Sequence, residues 1–127
     1  MGTPDTWGPP LWKELHEKTF NYPHYPTAAD KKDAVLYFHT FTHRIPCPSC
    51  RQHYKSWLQL HPVENVHHIR KTLIEWLVDL HNDVNVRNGK RVWAYEEVYE
   101  LYERKFNVSW IALAFFIMTL VILIRKR

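Results

Sequence analysis

The chain has 127 residues, enough for one domain around one core, and it is rich in aromatic side chains (15%, with 6 Trp) and poor in Gly, with 3. Its formal charge of +4 overstates how basic the body is: Arg125, Lys126 and Arg127 end the sequence, and without them acidic and basic residues nearly balance. That balance excludes the broad basic face of a nucleic-acid binder.

In chain order, Asp5 and Thr6 are cap candidates ahead of Trp7-Gly8-Pro9-Pro10, and Leu11, Trp12, Leu15, Lys18, Thr19 and Phe20 then recur at helical spacing. Asn21 to Pro26 reads as a turn. Thr27 caps a second helix, with Asp30 as its first-turn acid and a stripe of Ala34, Val35, Phe38, Phe41 and Thr42 that ends near Arg44. A third helix is expected from Pro48 to Leu60, burying Tyr54, Trp57 and Leu58 and stopping before Pro62. A fourth, starting near Glu64, carries Val66, Ile69, Leu73, Ile74, Trp76, Leu77, Leu80 and Val84 up to the Asn88-Gly89 stop signal. A fifth starts near Ala94 with Val98, Leu101 and Tyr102, and either stops there or runs straight into the apolar C-terminal stretch. No stretch alternates as a strand would. The expected fold is all-α: a four-helix bundle, a short fifth helix and a C-terminal transmembrane helix. The corresponding domains are 1–105 and 106–127.

The anchor is read from Val108 to Ile124, apolar except for Ser109 and Thr119. As a helix it spans roughly 25 Å, and Phe106, Asn107 and snorkelling end residues extend it toward a hydrocarbon core of about 30 Å. Trp110 lies where an interfacial aromatic would. A core helix in so small a domain has no need to be apolar all round. Arg104-Lys105 on one side and Arg125-Lys126-Arg127 on the other leave the orientation open. Residues 1–20 hold no apolar leader, so the expectation is an N-terminal domain on the cytosolic side of a single-pass anchor.

The chemistry centres on Ile45-Pro46-Cys47-Pro48-Ser49-Cys50, which holds the chain's 2 cysteines. A disulfide closing so small a ring adds almost nothing to stability, because the stabilisation grows with loop length. Such a pair is redox-active or half of a metal site. Pro46 keeps Ile45 out of the helix and Pro48 suits a first turn, so the pair stands at a helix N-terminus, where free N–H groups favour a thiolate. A zinc site would need His67 or His68 as further ligands, and their spacing from Cys50 lies just outside the finger range. A thioredoxin-like reductase would need strands. The second informative stretch is His81-Asn82-Asp83-Val84-Asn85, followed by Gly89-Lys90; His81, Asn82 and Asn85 share one helical face.

Together these motifs resemble the Erv/ALR family of FAD-dependent sulfhydryl oxidases. CxxC at a helix start is followed by HNxVNxxxGK, and Trp7-Gly8…Leu11-Trp12…Leu15-His16 is similar to that family's opening WGxxxWxxLH. Tyr22-Pro23, Phe38-His39…Phe41 and Cys50-Arg51-Gln52-His53-Tyr54 agree, so the resemblance covers roughly residues 7–95. It implies FAD held in a helical bundle beside the CxxC. By family position Cys47 is attacked by the substrate thiolate, and Cys50 faces the flavin. Trp12, His16, His81, Asn82 and Asn85 would line the cofactor site, Lys90 would meet the pyrophosphate and Trp93 the adenine, with Gly8 and Tyr54 as weaker candidates. The resemblance implies electron transfer to oxygen, with release of hydrogen peroxide, and a homodimer. Ile45 departs from the family's usual Tyr. There is no shuttle cysteine pair, so a thiol-containing protein or a thioredoxin-like carrier must reach Cys47 directly. Membrane-associated versions without a shuttle resemble those of large DNA viruses, which places this chain in a virion or an internal host membrane. A catalytically idle virion protein on the same fold is the alternative.

Overall fold

The structure is a computed structural model that describes residues 2–126, with the side chains of 104–109 outside the description. The described residues form five α-helices: α1 (Pro4–Phe20), α2 (Ala28–Thr40), α3 (Pro48–Leu60), α4 (Arg70–Arg87) and α5 (Tyr95–Arg125). Short 3₁₀ turns at Phe41–Arg44 and Val63–Asn65 join them, and no strand occurs among the described residues. The chain divides into two compact units, Met1–Val92 and Trp93–Arg127.

In the first unit α1 packs along α4, and the core gathers where Phe38, Val63, Leu73, Leu77 and Leu80 are shut off from solvent. Each such side chain contributes about 1.5–3 kcal/mol relative to its exposed state. Trp76 meets Phe38 edge to face, at 5.0 Å between ring centres, and donates from Nε1 to the carbonyl of His61 at 2.9 Å. That bond lets a polar indole nitrogen sit in the core without an unmet donor.

Helix α2 begins as its residues require. Thr27 Oγ1 accepts from the Asp30 N–H at 3.1 Å, and the Asp30 carboxylate accepts from the Thr27 N–H at 2.9 Å. Helix α3 has the expected bounds, and Tyr54, Trp57 and Leu58 are buried as its pattern requires. Helix α4 ends in Asn88, with Gly89 at φ +66°, Gly89 N–H donating to Val86 and Lys90 N–H to Asn85. The left-handed position suits Gly alone, and the 2.8 Å Lys90–Asn85 bond folds Lys90 back over the last turn.

Three elements differ from the sequence expectation. Helix α1 starts at Pro4, just ahead of the expected caps Asp5 and Thr6, and Pro9 and Pro10 lie inside it. The carbonyls they leave without a helical N–H belong to the exposed Asp5 and Thr6, and Trp7 packs against the core in return. Helix α4 starts at Arg70 rather than near Glu64. Before it, the Tyr22 hydroxyl takes the His67 carbonyl and the Thr72 hydroxyl takes that of Val66, diverting both acceptors from a helical ladder, and Ile69 is left 39% exposed.

In the second unit the fifth helix is not a separate short one: it runs straight on into the apolar stretch, α5 having 31 residues without a break. Glu97 accepts from the Ala94 N–H at 3.3 Å at its start. Trp110, Phe115, Phe116 and Leu123 are exposed along its later turns. Among the described residues no helix is long and apolar enough to cross a membrane. The expected anchor over 106–127 falls partly on residues 106–109, whose side chains lie outside the description, and on 127; the remaining run from Trp110 to Ile124 covers about 22 Å, short of a hydrocarbon core of about 30 Å.

Candidate functional site

Cys47 caps α3 with Pro48 in its first turn, and the Cys50 N–H donates to Cys47 Sγ at 3.3 Å. The Ser49 hydroxyl lies 3.1 Å from the same sulfur. Hydrogen bonds from the Cys50 thiol, then from Ser49, and then from the Cys50 N–H bring Cys47 down to about 7. Cys50 behaves oppositely. It packs against the core, and burial first, then the neighbouring Cys47, push its thiol above the ordinary value. The two sulfurs are therefore unequal, an outer one that ionises easily and an inner one that resists. Ile45, just before the motif, is buried in the core in an extended conformation.

A second cluster forms where α1 meets α4. The rings of Trp12 and His81 stack at 3.9 Å and 6°. His16 Nε2 and His81 Nδ1 share a hydrogen bond of 2.9 Å. One of these nitrogens must donate and the other accept, so the contact requires at least one neutral ring. Burial, and then the other histidine, bring His16 down to about 3; burial, and then Lys90, bring His81 down to about 4. At neutral pH both rings are uncharged. One turn on, Asn85 is buried and its Nδ2 has no hydrogen-bond partner. An unmet buried amide costs about 1–3 kcal/mol, so this donor is aimed at an acceptor from outside the chain. Gly8 is buried on α1, and a Cβ built there meets nothing within 4 Å. An uncharged aromatic stack, neutral imidazoles, a spare amide donor and room beside Gly8 fit a planar heteroaromatic ligand with polar edges. They therefore fit FAD.

The structure thus brings together Trp12, His16 and His81, with Asn82 and Asn85 on the same helix. Lys90 pairs with Asp5 at 3.2 Å, both largely exposed, so it enters through the first turn of α1. Trp93 belongs to the second unit. Tyr54 is committed elsewhere: it is buried, and its hydroxyl donates to the Phe38 carbonyl at 2.6 Å. Tyr54→Phe should cost about 1–2 kcal/mol in urea unfolding and leave flavin content unchanged; a fall in flavin content instead would put Tyr54 at the cofactor.

Sequence reasoning passed over three residues. Ser49 sits inside the motif itself. Asp5 read as a cap and proves to be the partner of Lys90. His53 had no role beyond the Cys50–Tyr54 match, and its ring lies between Asp83, 2.7 Å from Nε2, and Arg87 at Nδ1, joining α3 to α4. No local signal marks Asp5 or His53, because both partners are distant in sequence. Among the described residues no three His, Cys, Asp or Glu side chains gather as metal donors, so neither His67 nor His68 joins the cysteines.

An all-helical bundle with an unequal dithiol at a helix N-terminus and a neutral aromatic cluster defines a class of helical dithiol–disulfide redox proteins. The comparisons narrow it. A model of the Erv1 / Alr family matches residues 9–107. The probable FAD-linked sulfhydryl oxidase of Acanthamoeba polyphaga mimivirus is 33% identical over 103 residues, 80% of this chain and 72% of that protein. The mitochondrial FAD-linked sulfhydryl oxidase of Schizosaccharomyces pombe is 32% identical over 92 residues, and the match spans 68% of this chain and half (50%) of its relative. An African swine fever virus FAD-linked sulfhydryl oxidase is 29% identical, over 77% of this chain and 81% of its own. The solved FAD binding domain of Erv1 from Saccharomyces cerevisiae superposes with a TM-score of 0.76 at 21% identity, covering 82% of this chain and 97% of that one. This chain belongs to the Erv1/Alr family.

Proposed function

We propose that the chain is a FAD-dependent thiol oxidase that forms disulfides in protein substrates. Family membership and the inequality of the two sulfurs carry the reading. A substrate thiolate attacks Cys47 Sγ of the Cys47–Cys50 disulfide. The S–S bond breaks and Cys50 takes the electron pair as a thiolate. A second substrate thiolate then attacks the substrate sulfur of the mixed disulfide, and Cys47 leaves. The substrate loses two electrons and the CxxC gains them. When bound, FAD would supply the redox chemistry that carries these two electrons on to oxygen as hydrogen peroxide. Trp12, His16, His81, Asn82 and Asn85 would hold its rings, with Gly8 leaving room; Lys90 would serve the pyrophosphate and Trp93 the adenine.

The relatives from mimivirus and African swine fever virus support a viral setting, with a virion protein or a thioredoxin-like carrier as substrate. The apolar run from Val108 to Ile124 supports a membrane tether for residues 106–127, with the oxidase domain over 1–105 on the cytosolic side. Pairing as a homodimer completes the proposal. The test is peroxide production from a reduced protein dithiol by the full-length, flavin-loaded chain. Turnover that persists in Cys47→Ser with protein substrates would refute the assigned entry point.

A further inference from the structure

Ser49 stands between the two cysteines, and nothing in the proposed reaction so far uses it. Its hydroxyl approaches Cys47 Sγ to 3.1 Å, and the Cys50 N–H reaches the same sulfur at 3.3 Å. With Cys47 capping α3, these two donors and the helix N-terminus converge on one atom. A thiolate has no proton to give, so in that state Ser49 must be the donor.

We infer that Ser49 is a further catalytic residue: its hydroxyl donates a hydrogen bond to the Cys47 sulfur as negative charge gathers there, and so sets how readily Cys47 leaves the mixed disulfide. The inference rests on the proposed oxidase reading. In the step concerned, the second substrate thiolate forms the substrate's disulfide bond, the bond between substrate sulfur and Cys47 Sγ breaks, and Cys47 carries away the electron pair. The Ser49 proton stays on oxygen throughout. Leaving is faster from a more stable thiolate. The same bond favours the reduced dithiol over the disulfide, which makes the CxxC a stronger oxidant of its substrates. Cys50 packs against the core, where burial and the neighbouring Cys47 outweigh the help it too receives from Ser49, so Cys47 is the sulfur that holds the charge in the reduced pair.

The experiment is the pH dependence of carboxamidomethylation of Cys47 in the reduced full-length protein, read by mass spectrometry, for wild type, Ser49→Ala and Ser49→Thr. Ser49→Ala should raise the midpoint by about 0.5–1 pH unit, a moderate effect because water also reaches this exposed site, and Ser49→Thr should restore it. In equilibrium with glutathione, Ser49→Ala should shift the pair about threefold toward the disulfide. An unchanged midpoint in Ser49→Ala, or a Thr variant no different from Ala, overturns the inference. Neither readout depends on flavin turnover. A failure here is thus distinct from failure of the oxidase reading, which would show as a flavin that the wild-type dithiol does not reduce.

Discussion

Cys50→Ser stops turnover by at least about a thousandfold while leaving flavin content and fold intact. The expectation follows from where the charge must go. Attack on Cys47 expels Cys50 as a thiolate at a position where burial and the neighbouring Cys47 both disfavour one. A thiolate held above its ordinary energy is a good electron donor, and the step that removes its charge is correspondingly favoured. Serine at the same place has a far weaker acid in its hydroxyl and forms no disulfide, so neither charge nor electrons can be delivered. Substrate would still meet Cys47, which keeps its own donors in Ser49 and the residue-50 N–H. With no disulfide at Cys47 to attack, a reduced substrate should form no mixed disulfide with the variant on a non-reducing gel and should leave unoxidised. Substrate oxidation by the variant at a wild-type rate would instead show that electrons leave by another route.

The second large effect is on stability in acid. His16 and His81 are both held neutral in the fold, at about 3 and about 4, against an ordinary value of 6.5. The unfolded chain therefore binds more protons than the native one between about pH 6.5 and 4, so stability rises with pH across that window and is lost as pH falls. Above pH 7 the pair is neutral in both states and contributes no dependence. The loss by pH 4.5 should be on the order of 3 kcal/mol, allowing for the coupling between the rings. That is a large share of a typical domain's stability. Trp12 stacked on His81 offers no countercharge, and Lys90, the nearby cation, works against protonation. Urea unfolding from pH 7.5 to 4.5, with FAD in fixed excess, should show this slope. His16→Gln should lower it by roughly half, because the amide can still donate to His81 but cannot take up a proton. A wild-type midpoint independent of pH would contradict the neutral pair.

Much of this fold is legible in the sequence where local chemistry decides. Thr27 and Asp30 define the start of α2 by reciprocal bonds three residues apart, and Pro48 with Pro62 brackets α3. Asn88-Gly89 ends α4 for the same reason, a left-handed position that Gly fills without strain. The errors arise where tertiary contacts override local preference. Asp5 and Thr6 read as caps, yet Thr3 is the cap and both lie in the first turn of a helix that runs on through Pro9 and Pro10 while Trp7 packs on the core. Glu64 to Ile69 carries apolar residues at plausible spacing, but Tyr22 and Thr72 capture the carbonyls a helix would need. In the sequence, residue types and spacings point to Cys47, Cys50, His81 and Asn85, and the family resemblance adds Trp12 and His16. The physical basis of the site is not legible there. The His16–His81 bond spans 65 positions, the Asn85 donor is unmet only once the core has formed, and the Ser49–Cys47 contact depends on the turn that Pro48 sets.

The most direct test is an anaerobic titration of the purified, yellow full-length chain with a dithiol, followed by readmission of air. The account predicts that the flavin band bleaches with one equivalent of dithiol per site, and that it returns in air as hydrogen peroxide appears. A flavin band that no dithiol bleaches, in a protein whose Cys47 and Cys50 are demonstrably reduced, would contradict it.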